Sequence, residues 1–499
     1  MSIAGIKNHF IYWRDWELNP IVIKELRQGV RSWTVTGMLL LFLTIMFIAA
    51  IGFLVTQSFD TNENMQLGGS MFSVFLAILG GASILFIPLY TGVRVSSERQ
   101  ENNLDLLYVS TLSPNRIILG KLLCSAYVAL LFFSACMPFM AFTNLLRGVD
   151  LRTVFFSLVY LFMVVCTANM AAIFFACLPI SRQFKILLVL FAFFTGFGML
   201  SGLFRMLFSS RMFGSMGFGF SGNFWEAAGM TVLLTLMFIG LFFVLSVALI
   251  SPPSANRALP VRLYVTGIWL LGGILCFCCV LRTGNVIYME AWINPTFMVM
   301  MISLLVVISN ADQFSRRMRR TIPARGLKKL WAFLFFNGAA GGLLWVAGIL
   351  LATFLATNEI VNLFPSSTTA LDSSGSWFSV TTIYAFDYAL LALLLHRKLF
   401  PKRPPKLAGL LALILAGVWA IAPGVILFFM NKLSWKELDG LQLGNLFNVS
   451  SRLDYSQMQY HLVFACAWLL IMLWLNARWF LEQVKNFRPL PAEAPPVLE

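Results

Sequence analysis

Charge is scarce in this chain. Only 11% of its 499 residues are Asp, Glu, Lys or Arg, 59% are hydrophobic, and the mean hydropathy is +0.82. That leaves too little polar surface to cover a soluble globule of this size. The motifs of catalysis are lacking as well. There is no G-x-x-x-x-G-K-[ST] loop to cradle phosphates with backbone amides, and no soluble stretch long enough for a nucleotide-hydrolysing domain. Neither H-E-x-x-H nor a nucleophile elbow occurs, and the only histidines, His9, His396 and His461, stand near the ends of apolar segments. The chain is therefore not expected to be an enzyme. No basic, aromatic-interleaved soluble domain is present to bind nucleic acid. The eight cysteines fall within apolar runs and read as free, buried thiols. The cluster Cys276, Cys278, Cys279 has no His or polar loop beside it, which favours packing over a metal site. The start lacks a short apolar core with a small-residue cleavage site. Residues 1–32, with Asp15, Glu17 and Glu25, precede the first apolar run instead, so no cleavable signal is expected.

Long apolar runs are what the chain has in abundance. A membrane helix needs roughly 20 mostly apolar residues, because the hydrocarbon core is about 30 Å thick and a helix rises about 1.5 Å per residue. Twelve segments qualify, near 33–56, 71–93, 119–145, 153–178, 185–205, 227–250, 262–281, 293–311, 330–356, 376–395, 406–430 and 461–480. They are continuous, whereas the strands of a membrane barrel would alternate apolar and polar residues. The expected fold class is an all-α integral membrane protein with about twelve transmembrane helices. With the N-terminus inside, only Arg147, Arg152, Arg205, Arg211, Arg282, Lys432, Lys436 and Arg452 of the 36 Lys and Arg fall in outer segments. The positive-inside rule then places both termini in the cytoplasm. The net charge of +15 has the same origin: runs such as Arg316, Arg317, Arg319, Arg320 and Arg397, Lys398, Lys402, Arg403 read as juxtamembrane anchors facing anionic lipid.

Two amphipathic elements stand out on the expected cytoplasmic side. In the first, Asn19 can cap a helix that Pro20 begins. Val22, Ile23, Leu26 and Val30 are expected on one face, with Lys24, Glu25, Arg27, Gln28 and Arg31 on the other, as in a helix lying in the headgroup plane. Trp13 and Trp16 suit that boundary, and the plainer alternative is a simple extension of the first span. The second is a polar island, Ser96 to Lys121, between two apolar runs. Ser97 and Gln100 fit a capping box that would start a short helix. Leu104, Leu107 and Tyr108 would form its apolar patch, with Glu101 and Asp105 alongside, and Ser113-Pro114 would restart helix for the third span. An ordinary loop helix would show the same spacing.

The segments NPIVIKELRQGVRS (19–32) and SSERQENNLDLLYVSTLSPNRIILGKLL (96–123) resemble the hallmark stretches of permease subunits of ATP-binding-cassette transporters, type-2 exporter class. In that family the first is the elbow helix before span one. The second, of pattern S-E-R-E-x-x-T-L-x-L-L-x-x-T-P-x-S-x-x-x-I-x-x-G-K, holds the coupling helix. Glu98, Arg99, Leu104, Leu106, Leu107, Ser113, Ile117, Gly120 and Lys121 stand at pattern positions. Asn103 replaces the usual Thr, and Leu112 interrupts the usual Thr-Pro. The resemblance covers roughly residues 15–250. It implies an elbow segment over 1–32 using Pro20, Lys24, Glu25 and Arg27. A six-span permease core would follow over 33–250, with a coupling helix near 97–110 presenting Glu98, Arg99, Glu101, Leu104, Leu107 and Tyr108 to a separate ATPase subunit. ATP and Mg would be bound in that partner, with no cofactor on this chain. Further implied partners are a second permease chain, in a homo- or heterodimer, and membrane lipids; the location would be a bacterial inner membrane.

Residues 251–480 read as a further six-span region without a second polar island, and 481–499, ending RPLPAEAPPVLE, as a disordered cytoplasmic tail. Gly198 to Gly202 and Gly338 to Gly342 have the small-xxx-small spacing of closely approaching helices, here expected within the chain. One intramembrane charge, Asp387, lies in mid-span, flanked by Tyr384 and Tyr388 whose hydroxyls are candidates to serve it. It supports a rival reading, a proton-coupled secondary transporter. A third reading is a non-transporting membrane scaffold or mechanotransmitter.

Overall fold

The computed structural model describes residues 20–57, 67–100, 113–146, 149–179, 222–252, 254–284, 287–310, 314–363, 369–429, 442–447 and 455–489. All regular structure among them is helical, and eleven helices are long and apolar enough to cross a membrane. The other expected span, 185–205, and with it Gly198 to Gly202, lies outside the described residues. Long unbroken helices follow from the solvent: in lipid every backbone N–H and C=O needs an internal partner, and a helix supplies one for each. Many of these helices are apolar all round. Phe47, Ile48, Ile274, Leu470 and Trp474 face outward while equally apolar neighbours face in, as expected where the surroundings are acyl chains. All eight cysteines are free, yet Cys278 and Cys466 lie on that outer surface rather than in the interior.

The chain divides into two compact units, residues 1–252 and 253–499. The first contains α1 (Pro20–Val30), α2 (Trp33–Gln57), α3 (Leu67–Gln100), α4 (Pro114–Leu145), α5 (Leu151–Cys177) and α6 (Gly222–Ile250). α3 packs most extensively against α5 and α4, and α6 against α5. Its main core joins Phe42 and Met46 of α2, Phe72, Phe75 and Leu79 of α3, Phe132 and Met140 of α4, and Leu161 of α5. A smaller cluster joins Val95, Ile118, Met170, Ile173, Val247 and Ile250. Ser113 and Pro114 start α4 as expected, with Ser113 extended at the N-cap and Pro114 in the first turn, where a missing N–H leaves no helical bond unmade. The capping box expected at Ser97 does not form. α3 runs through to Gln100, and the Ser97 hydroxyl donates back to the Arg94 carbonyl at 2.9 Å, the habit of serine inside a helix.

The second unit contains α7 (Ala258–Thr283), α8 (Ile287–Ile308), α9 (Arg316–Arg320), α10 (Leu327–Phe335), α11 (Ala339–Leu363), α12 (Thr369–Leu399), α13 (Lys406–Phe429) and α14 (Tyr455–Asn486). The span expected over 330–356 is in fact two helices broken at Phe336–Gly338. Gly338 sits at φ 145°, and a Cβ on Gly341 would lie 1.9 Å from the Phe333 carbonyl oxygen, so the turn closes only on glycine. Carbonyls at the break, that of Gly338 also accepting from the Gly342 N–H, are taken by Arg262 of α7. Its guanidinium donates to Leu334 at 2.6 Å, Phe336 at 2.8 Å and Gly338 at 3.2 Å. Gly338 to Gly342 does permit close approach within the chain: a Cβ on Gly342 would meet Arg262 and Val307 at 2.5–2.7 Å. The tail expected from 481 is helical as far as Asn486, where α14 ends. Phe487 is then buried against Phe314, Phe333 and Phe336, which anchors the end. Residues 490–499 lie outside the described residues. Arg397 is not a free lipid anchor: it donates to the Asn476 side chain and lies 4.6 Å from the Trp479 ring.

Candidate functional site

α1 begins at Pro20 and packs against α4. Its inward face differs from the simple amphipathic expectation. Val22, Glu25 and Gly29 are buried and Leu26 is half-buried, a stripe at i, i+3, i+4 and i+7, whereas Ile23 is exposed. Lys24 and Arg27 point outward. Glu25 therefore belongs to the contact face, and the reason lies 69 and 96 residues away.

Glu25 receives two cations. Arg94 of α3 approaches one carboxylate oxygen through Nε at 3.3 Å, and Lys121 of α4 approaches the other through Nζ at 3.1 Å. Lys121 also meets Glu98 of α3 at 2.5 Å. Arg94 donates further to the Tyr90 hydroxyl at 3.0 Å and to the Gln28 side-chain carbonyl on α1. Two carboxylates and two cations thus close a neutral cluster across three helices. Neutrality matters because the Glu25 and Lys121 side chains are only 7% and 8% exposed. A lone charge at that depth would be strongly unfavourable, and full mutual pairing is what permits the burial. Glu25, Arg94 and Lys121 border a cleft of about 20 Å³, also lined by Thr91, Cys124 and Ser125, with room for a water-sized molecule and no more. The cluster is a mechanical joint in form. It holds the helix preceding the first span to the two helix ends that flank residues 101–112.

Of the expected island residues, Glu98 is turned toward Lys121 rather than outward, with its side chain 32% exposed. The Arg99 side chain, Glu101, Leu104, Leu107 and Tyr108 lie outside the described residues. Ile117, Gly120 and Lys121, all at pattern positions, are buried in α4. On helical spacing alone Glu25 groups with the solvent-facing residues, and Arg94 counts only toward the positive-inside balance. Arg94 was nevertheless visible as a cation one turn before Glu98 in an otherwise apolar stretch.

The second candidate, Asp387, is fully buried in α12, near the middle of the apolar stretch Trp377–Leu399. Neither carboxylate oxygen has a hydrogen-bond partner among the described residues. The flanking tyrosines do not serve it. The Tyr388 hydroxyl donates to the Gly444 carbonyl at 2.6 Å, while that of Tyr384 accepts from the Gly444 N–H at 3.1 Å and lies 3.0 Å from His461 Nδ1. Residues 442–447 dip into this core, with Gly444 at φ 92° under Trp419, and so compete successfully for both hydroxyls. His461, expected at a span end, is itself buried there. Among the described residues no group of His, Cys, Asp and Glu is arranged to hold a metal ion.

These features define the class: a multi-pass membrane protein, helical throughout the regular structure of its described residues, whose first unit joins a helix preceding its first span to the next two spans through buried and half-buried ion pairs. Comparison with protein-family models, with curated proteins and with solved structures found no match to this chain.

Proposed function

We propose that this chain is the membrane subunit of an ATP-driven exporter of the ATP-binding-cassette type, forming the translocation pathway and working with a separate ATPase. The observation that carries the reading is the Glu25–Arg94–Lys121–Glu98 cluster. A permease driven from outside itself needs a rigid connection between the segment that is pushed and the helices that must move. The cluster supplies such a connection on both sides of residues 101–112. Nucleotide-driven closure of two ATPase subunits would press on that segment, tilt α3 and α4 together with α1, and shift the pathway between inward and outward states. With one such segment per chain, two permease chains would serve two ATPase subunits. ATP and Mg belong to the partner in this reading, and the location is a bacterial inner membrane with both termini cytoplasmic.

The test is co-purification. Leu104→Asp with Leu107→Asp places two charges in the apolar patch of the island and should abolish ATPase association while the chain still inserts. Undiminished recovery of the ATPase would sink the assignment. Asp387, without a hydrogen-bond partner among the described residues, favours a second reading, a proton-coupled transporter. Transport that ignores ATP depletion, collapses with an uncoupler and is lost in Asp387→Asn would establish that reading in place of the first.

A further inference from the structure

The second unit carries a surface that neither reading uses. α10 has two apolar faces. Ala332 and Phe335 turn inward, with Ala332 joining Met318 and Ile322 of the α9 segment, Phe336 and Phe487 in one buried cluster. At i, i+3 and i+4 on the other side, Leu327, Leu330 and Trp331 are exposed, Leu327 to 84%. An exposed apolar stripe on a helix that leads within three residues into a span lies at the membrane boundary, where indole and leucine side chains enter the headgroup and acyl region.

Cations crowd the same segment. Arg316, Arg317, Arg325 and Lys328 are exposed and have no side-chain partner among the described residues. The Arg319 Nε is buried and likewise unpartnered. No Asp or Glu occurs between residues 314 and 358. At the C-terminal end of α14, Glu482 is already paired with Arg478. The platform is held in place. Ser315 caps α9 by accepting from the Met318 N–H at 3.2 Å and donates to the Ser254 carbonyl at 2.8 Å, while Arg262 holds the far end of α10. Unpaired cations on a held backbone, in the same segment as an exposed apolar stripe, match one occupant: a phosphate-bearing headgroup with acyl chains attached.

We propose that α9 and α10 form a binding site for an anionic phospholipid, with Arg316, Arg317, Arg325 and Lys328 receiving the headgroup and Leu327, Leu330 and Trp331 lying against the chains. The site is independent of ATPase docking, so either assignment can fail without the other.

Lipid retention tests it. Intact protein in mild detergent is offered phosphatidylglycerol or phosphatidylcholine, and bound lipids are counted by native mass spectrometry, with inorganic phosphate as a competitor. Wild type should prefer phosphatidylglycerol by at least about tenfold, since each cation at a membrane surface favours anionic lipid by about 1 kcal/mol. The variant R316Q/R317Q/R325Q/K328Q should lose that preference, and L330S/W331S should reduce retention of both lipids. Equal retention of the two lipids by wild type, a measurement that needs no variant to fold, overturns the proposal and leaves the surface to a protein partner. Displacement of the lipid by millimolar phosphate would also overturn it, because the apolar stripe would then contribute nothing.

Discussion

The two units solve the burial of charge in opposite ways. In the first, every buried charge among the described residues has a partner of opposite sign: Glu25 takes Arg94 and Lys121, and Lys121 also takes Glu98. In the second, the buried charges stand alone. Arg262 is satisfied by three backbone carbonyls without any carboxylate, and Asp387 by no described group at all. The contrast separates three uses of a buried ionisable group. Paired charges fasten helices to one another, a guanidinium closes a helix end that lacks its own bonds, and a lone carboxylate holds nothing together. Stability should therefore respond differently to the loss of each.

The largest effect is expected at Lys121. Lys121→Met removes the cation shared by Glu25 and Glu98, leaving the buried Glu25 to Arg94 alone and Glu98 without its cation, which should cost about 3–5 kcal/mol. Thermal unfolding followed by size-exclusion chromatography should show a sharp fall, with partial recovery in Lys121→Met/Glu25→Leu. No recovery in the double variant would mean that the joint works by packing rather than charge. Next comes Arg262→Met, which at similar side-chain length strips the Leu334 and Phe336 carbonyls of their Arg262 donor and leaves that of Gly338 to the Gly342 N–H. A loss of about 2–3 kcal/mol is expected, with the helix break at Phe336 the first region to gain hydrogen exchange. Arg262→Lys should recover part of it. The smallest effect is at Asp387, where Asp387→Leu should leave stability unchanged or raise it by about 1 kcal/mol, because an unpartnered carboxylate is replaced by an apolar side chain. A fall as large as that of Lys121→Met would show that Asp387 has a structural partner and would break the contrast between the units.

Apolar length alone located most of the described spans, since lipid imposes one rule on all of them; α2, expected at 33–56, runs over Trp33–Gln57. Errors arose where a distant residue decided the outcome. The break before α11 was hidden because its carbonyls are served by Arg262, more than seventy residues upstream. Glu25 looked like a surface residue because helical spacing reports only local neighbours, while its partner Lys121 lies on another span. Tyr384 and Tyr388 were assigned to Asp387 by adjacency, but Gly444 and His461 claimed their hydroxyls from elsewhere in the chain. The depth of Asp387 was legible, and its isolation was not.

The length of α3 gives the charged cluster a mechanical scale. Thirty-four residues make a rod about 51 Å long, well beyond the roughly 30 Å of hydrocarbon it must cross. Pivoting such a rod by about 5° at one end sweeps the other through about 4 Å. That arc exceeds the 2.5 Å separating Lys121 from Glu98 and the 3.3 Å separating Arg94 from Glu25. A rotation too small to see along most of the span is thus enough to snap the contacts at its tip unless α1 and α4 swing with it.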